Sequence, residues 1–374
     1  MMKQTQRILS SFHNQSGTIR TRITNLLQCK HPIILPGMSW ISTPPLVAAV
    51  SNAGGCGILA TGPLTPSETH SSIQQIRASL NCEKNPFGVG ITLLMPGSYG
   101  NLEMAVEEQV PVINISLGKP PREIVDQIHS YGGKIISTVT QVRHAEQALH
   151  AGADCLMITG HEAAAHGGSV GSLVLIPSFV QQFPSTPIIA AGGFATGSGL
   201  LAALSLGADG VAMGTRLAIT KESPLHSHVK DTLTHPNQTV FDTVYGKKFD
   251  GIPARVLSTP IALQKMLKSP NLPTVLYRAI HAAGKMNIPL WKVIPGLIQQ
   301  WDKMYTIAQF GAATQALESA TLHGDLDADG VQFVGQCMGL IQDQPNVHDL
   351  IQQIIHDAIK RHGTNQALMS TSTL

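Results

Sequence analysis

His161, Glu162 and His166 stand in one stretch, Thr159-Gly160-His161-Glu162-Ala163-Ala164-Ala165-His166-Gly167-Gly168, whose other residues are all small. A loop this lean lies close to a flat cofactor while a histidine reaches a substrate from the side. An unperturbed imidazole, with a pKa of about 6.5, suits proton transfer near neutrality or, when protonated, holding an anion. The structural alternative is a histidine bonded only to a backbone carbonyl. Two glycine groups point to a different chemistry: Ala191-Gly192-Gly193 and Met213-Gly214-Thr215, each ending a short apolar run. Residues without a side chain let backbone N–H groups approach an anion such as a phosphate. Otherwise these glycines serve only tight turns. Gly197-Ser198-Gly199-Leu200-Leu201-Ala202 matches G-x-G-x-x-A but begins well past the end of its apolar run. It reads as a plain helix start, not a dinucleotide fingerprint.

The elements that must position these residues repeat along the chain. SNAGGCGILAT (51–61), HSYGGKIIST (129–138), HAGADCLMIT (150–159) and SLGADGVAMGT (205–215) each pass from a helical stretch through a glycine turn into a short apolar run. Glycine there suits the left-handed end of a helix, and the run suits a strand buried on both faces. Strands are predicted at 32–36, 57–60, 88–93, 111–115, 134–139, 154–158, 187–191 and 210–213. Helices are predicted near 44–53, 65–80, 100–109, 121–131, 141–150, 173–183 and 197–206. This alternation predicts an α/β fold, a (β/α)8 TIM barrel over residues 20–224, in preference to an open doubly wound sheet. In such a barrel, loops after the C-terminal strand ends carry function, with a phosphate site after the last two strands.

Residues 225–330 lack short buried strands with glycine turns and predict a smaller, mostly helical second domain covering the barrel mouth. Within it, 272–318 has helical apolar spacing through Trp291, Ile294, Ile298, Trp301 and Met304. Residues 331–362 are expected to return to the barrel as a closing helix, and 364–374 to fray.

The 374 residues carry 43% hydrophobic and 13% charged residues with a net charge of +2, which implies no pull toward nucleic acid or an anionic membrane surface. No apolar run is long enough to span a bilayer, and Met1–Gln28 has no signal-peptide core. Cys29, Cys56, Cys82, Cys155 and Cys337 form no CxxC pair, so a disulfide scaffold or zinc module is not expected and a reducing cytoplasm is. The sixteen histidines show no metal-ligand spacing and are expected to be mostly exposed.

HPIILPGMSWIS, AAVSNAGGCGIL, PFGVGITLL, GHEAAAHGG, IIAAGGFATGSGLLAALSLGADGVAMGTR and GDLDADGVQFVGQCMGLI, in this order, resemble the nitronate monooxygenase family from about residue 20 to 360. The resemblance implies FMN as cofactor. It places Gly37, Met38 and Ser39 along the flavin ring, Thr92 and Thr138 toward it, and Ala164 packed near it. Gly192, Gly193, Met213, Gly214 and Thr215 would cradle the phosphate, and His166 is the implied catalytic histidine. The chain departs from the family pattern at Ala164 and Ala165, where glycines are common, at Gly90, where Asn is common, and at Thr138, where a quinone-reductase-like relative has Lys. The PGSYGN stretch also lacks that subgroup's proline-rich loop.

The implied activity is oxidation of alkyl nitronates with O2 to carbonyl compounds and nitrite. The alternative is an NAD(P)H-dependent flavin reductase acting on quinones or enoyl-acyl-carrier-protein, and the non-enzymatic one a flavin-storing barrel. Expected partners are a small-molecule substrate and O2, without nucleic acid or membrane, and a homodimer is left open.

Overall fold

The computed structural model describes residues 17–95, 97–164, 166–268, 273 and 301–370. Short runs rich in Ile and Val form the strands β1 (Ile33–Leu35), β2 (Cys56–Ala60), β3 (Phe87–Thr92), β4 (Val112–Ser116), β5 (Lys134–Val139), β6 (Cys155–Thr159), β7 (Ile188–Ala191) and β8 (Gly210–Ala212). They pair in sequence order, all parallel. The barrel closes where β8 meets β1 through Ile33↔Val211 and Ile34↔Ala212. This is the (β/α)8 TIM barrel that the alternation predicts.

The helices follow in chain order. The first is α1 (Arg22–Leu27), followed by α2 (Pro44–Asn52), α3 (Pro66–Ser79), α4 (Ser98–Glu107), α5 (Arg122–Ser130), α6 (Val142–His150), α7 (Ser172–Gln182) and α8 (Gly197–Ser205). Then come the short α9 (Thr215–Ala218), α10 (Ser227–Leu233), α11 (Pro260–Leu267), α12 (Trp301–His323) and α13 (Val347–Ser370).

Alternation along each strand divides the core in two. Ile34, Ile58, Val112, Ile136, Met157, Ile189 and Ala212 pack inside the barrel, joined by Ile23 and Leu27 of α1. Ile33, Leu35, Leu59, Val89, Ile113, Ile135 and Val211 pack outward under the helices. Burying each such side chain contributes about 1.5–3 kcal/mol relative to leaving it in water.

The repeated Gly-Ala-Asp turns have a specific purpose. Asp154 accepts from the backbone N–H of Ile135 (2.7 Å), and Asp209 from that of Ile188 (2.9 Å), so each carboxylate ties its turn to the start of the preceding strand. Arg22 of α1 grips Asp209 with two hydrogen bonds of 2.6 Å, fastening the N-terminal segment to the base of the barrel. The helix start at Gly197 also has a structural reason. A Cβ there would stand 2.5 Å from the carbonyl oxygen of Ile354 and 2.7 Å from the amide nitrogen of Ala358. The missing side chain lets α8 and α13 pack backbone to backbone.

Two expectations are corrected. Residues 225–330 do contain short strands: β9 (Thr243–Gly246) and β10 (Ala254–Leu257) form an antiparallel hairpin, and β10 is wholly buried. The C-terminal segment expected to fray from residue 364 is helical through Ser370, because α13 continues to that point. Trp291, Ile294 and Ile298 lie outside the described residues. No described helix is long and apolar enough to cross a membrane.

Candidate active site

A cavity of about 1970 Å³ opens over the C-terminal strand ends. Pockets for a single small ligand commonly measure about 300–1,000 Å³, so this one has room for a cofactor and a substrate together. Gly37, Met38, Ser39, Thr92, Thr138, Ala164, His166, Gly192, Gly193, Gly214 and Thr215 all line it. Residues picked from six separate loops and strands thus converge on one space.

Met213 does not. Its side chain is fully buried in the outer core under the helices, and only its backbone, donating to the Ile34 carbonyl at 3.0 Å, faces β1. The period of two explains the misplacement: Ala212 points into the barrel, so Met213 points away. Gly90 borders a smaller recess of about 40 Å³, shared with Gly37, Thr92, Asn114 and Ser116. Asn114, its register partner on β4, donates to Thr138 Oγ1 at 2.9 Å.

The glycines at the ends of β7 and β8 leave space that side chains would fill. Gly192 and Gly193 have φ of +97° and +85°, backbone that favours glycine, and a Cβ on Gly192 would lie 3.0 Å from Ala163. Gly214 has an ordinary φ of −80°, and a Cβ there would meet only Met38 Sδ at 3.4 Å and Pro36 at 3.8 Å. Its open side belongs to the cavity. Thr215 Oγ1 accepts from the Gly335 N–H at 3.0 Å, so the segment after α12 completes this wall. Such a cradle fits the phosphate of the flavin expected from the sequence.

The loop after β6 is held from several directions. Glu162 turns away from the cavity and accepts from the Ser172 backbone N–H and hydroxyl at 2.9 Å each, capping α7. Its carbonyl accepts from Gln336 N at 2.9 Å. The remaining restraints come from the β9–β10 hairpin, none of which the sequence reading anticipated. Tyr245 donates to the Gly167 carbonyl at 3.1 Å and packs edge-on against His161, with ring centroids 4.4 Å apart. Arg255 donates to the His161 carbonyl at 3.0 Å, with its guanidinium 5.3 Å from the Tyr245 ring centre. Burial lowers the Arg255 pKa from its ordinary value, opposed by the charges of Tyr245 and Glu162. Asp250, in the turn between β9 and β10, lies 2.9 Å from His166 Nε2.

Phe333, on a segment bridged to Val256 of β10, packs its ring 6.0 Å from that of His166. The signal that could have revealed the hairpin is Asp250-Gly251 between the β-rich runs Thr243–Gly246 and Ala254–Leu257, with Gly251 at φ +86°.

His161 and His166 therefore differ in setting. His161 is engaged with the Gly168 carbonyl (Nδ1 to O, 3.1 Å) and with Tyr245. His166 lines the cavity with a buried carboxylate behind it. Among the described residues no cluster of His, Cys, Asp or Glu could hold a metal ion.

A parallel barrel whose strand ends surround a cofactor-sized cavity, with glycine turns on one wall and a histidine on another, defines a barrel enzyme working at its C-terminal face. The chain matches the family model for nitronate monooxygenase over residues 20–98 and 79–357, and it belongs to that family. It is an oxidoreductase.

Among its relatives is the (3aS,4S,5R,7aS)-5-hydroxy-7a-methyl-1-oxo-octahydro-1H-indene-4-carboxyl-CoA dehydrogenase of Rhodococcus jostii. The two are 34% identical over 352 residues, 92% of this chain and 97% of that protein. A probable nitronate monooxygenase of Staphylococcus aureus is 30% identical over 63% of this chain and 78% of its own length. The solved structure of FabK from Thermotoga maritima superposes with a TM-score of 0.75 at 32% identity, covering 94% of this chain and 100% of that one.

Proposed function

We propose that the chain is an FMN-dependent oxidoreductase that transfers hydrogen at the carbon beside an acyl thioester. The observation that carries this reading is His166 on the wall of a cavity large enough for cofactor and substrate together. The relative that matches this chain over 92% of its length is a dehydrogenase of an acyl-CoA, which favours a thioester. Gly192, Gly193, Gly214 and Thr215 would hold the flavin phosphate. Gly37, Met38 and Ser39 would lie along the ring, with Thr92, Thr138 and Ala164 beside it. The bound flavin supplies two-electron exchange with the substrate carbon. His166 holds or moves the proton at that carbon. A monophosphate suits this barrel better than a pyrophosphate, because Gly197, the first glycine of the stretch that could mimic a dinucleotide turn, is committed to packing α8 on α13.

Oxidation of alkyl nitronates is the second reading, favoured by the family model and the Staphylococcus relative. A nitronate and the enolate of a thioester are both conjugate bases of carbon acids, with charge spread onto oxygen, so one histidine serves either.

Parallel assays separate the two: anaerobic bleaching of the flavin by NADH, NADPH or a saturated acyl-CoA, against oxygen uptake with alkyl nitronates. Oxygen uptake with nitronates and no response to thioesters or reduced nucleotides replaces the first reading by the second. His166→Ala should lower turnover by about 10²-fold or more while leaving the flavin bound, the usual scale for a general acid–base group. His161→Ala, whose ring serves only the loop, should cost less. Equal effects would remove His166 from the chemistry.

A further inference from the structure

Lys119, in the loop between β4 and α5, lies outside the chemistry proposed for the flavin and His166. We propose that Lys119 is a specificity residue that binds the phosphates of a coenzyme A thioester, so that the loop after β4 reads the carrier of the substrate. The proposal rests on the thioester reading given above.

Charge singles this residue out. Among the described residues, Lys119 is the one lysine or arginine on the cavity wall. It is exposed, and its ammonium enters no ion pair among the described residues. The acidic groups of the wall lie elsewhere. Glu68 caps α3, accepting from the Thr65 N–H at 2.7 Å and from its hydroxyl at 2.8 Å, and Glu318 belongs to α12. An unpaired cation on a concave wall favours an anionic group of the ligand.

The barrel order says which anion this is. β4 stands across the closed sheet from β8, four places away in either direction, whereas Gly192, Gly193, Gly214 and Thr215 follow β7 and β8. Lys119 is therefore on the wall opposite the proposed flavin cradle, and the anion it meets is a second one. The loop after β6, which carries His166, stands two strands from each. A substrate whose reacting carbon lies between flavin and His166 directs its far end away from the cradle, toward β4. In a coenzyme A thioester that end bears the phosphates. An alkyl nitronate has nothing there to match the charge.

The loop is built to hold this position. Leu117 has φ of +50°, backbone that residues with side chains rarely adopt and that the surrounding structure must impose. A Cβ on Gly118 would stand 2.8 Å from Leu93 Cβ, so the missing side chain lets the loop lie on the one after β3. Pro120 is buried and stiffens the far side. Leu117 is exposed on the cavity wall beside Lys119, apolar surface that suits the methyl-bearing arm between thioester and phosphates. His144 and Gln147 of α6, which follows the adjacent strand β5, line the same cavity and add polar groups.

The test compares butyryl-coenzyme A with butyryl-pantetheine, which keeps the acyl group and thioester arm but lacks the phosphates. Calorimetry gives binding to the flavin-loaded protein, and turnover gives kcat and KM. Lys119→Glu should raise Kd and KM for the coenzyme A thioester about 10-fold or more, the scale of a lost charge-assisted hydrogen bond. It should leave kcat and the pantetheine thioester unchanged, and Lys119→Arg should stay near wild type. Added salt should weaken binding of the coenzyme A thioester in the wild type and less so in Lys119→Glu. Equal losses for both thioesters, or no loss for either, overturn the proposal. Weaker binding of the coenzyme A thioester alone in Lys119→Glu, without turnover of any thioester, leaves the phosphate site standing and removes the functional reading. Turnover of both thioesters with KM unchanged in Lys119→Glu removes the site and leaves that reading.

Discussion

Replacing Gly214 by alanine separates the cofactor cradle from the fold. The backbone at Gly214 has φ of −80°, which alanine adopts without strain, and the new Cβ would meet Met38 Sδ at 3.4 Å, an ordinary contact. Stability of the flavin-free protein should therefore stay within about 0.5 kcal/mol of wild type. The methyl group would instead occupy the cavity side of the turn, where a phosphate must approach the backbone. Loss of one hydrogen bond to a charged group costs about 1.5–3 kcal/mol, equivalent to roughly a 10- to 150-fold rise in flavin Kd.

Gly192→Ala is the contrasting variant. Its φ of +97° strains any L residue, and its Cβ would stand 3.0 Å from Ala163. Left-handed backbone costs about 1–2 kcal/mol, and overpacking adds about 1–3 kcal/mol. This variant should melt early even without flavin. The assays are thermal unfolding of the flavin-free proteins and quenching of flavin fluorescence on titration. Wild-type flavin affinity in Gly214→Ala would refute the placement of the phosphate.

Two further outcomes follow from buried titratable groups. Burial pushes the thiols of Cys29 and Cys337 up to about 12 and about 11, and raises those of Cys56 and Cys155 as well. Cys82 alone is exposed, so a thiol reagent at pH 8 should label one cysteine in the native protein and all five after denaturation. His31 is fully buried, and neither ring nitrogen has a hydrogen-bond partner; burial, then the charges of Lys30 and His348, lower its pKa to about 4. An unfolded histidine binds its proton near pH 6.5, so stability should fall as pH drops from about 6.5 toward 4 and the contribution should then level off. Urea midpoints measured across that range should decline less steeply in His31→Leu; parallel slopes would show that other groups dominate.

The barrel is legible in the sequence because its physical demands are local. A strand buried on both faces needs a continuous apolar run, and each return turn needs glycine. Both demands act within about ten residues, and the observed β5 (Lys134–Val139) coincides with its predicted bounds. The Asp of the Gly-Ala-Asp turns is visible too, but its role is not, since its acceptor bonds reach a strand start 19 and 21 residues earlier. Met213 shows the opposite limit. The family resemblance counts it in the phosphate cradle, and strand alternation assigns its side chain to the outer core. The histidines are expected to be mostly exposed, and nothing in the neighbours of His31 marks it as the buried exception.

The loop after β6 is readable only on its own side. Its small residues and His166 mark a lean stretch on the cavity wall, but what holds it comes from 84 residues away in the case of Asp250 and 94 in that of Arg255. This division has a physical consequence. The proposed cradle is built from the barrel's own turns after β7 and β8, so a change at a left-handed position such as Gly192 disturbs fold and cofactor together, whereas one at Gly214 is expected to reach the cofactor alone. The histidine is set by a hairpin and by the segment around Phe333, both outside the eight strand–helix units. Substitutions there are expected to reposition the proposed proton-transfer group while the proposed cofactor cradle stays intact. On the proposed reading, the hairpin and not the sheet is therefore where the setting of the histidine can change independently of the barrel.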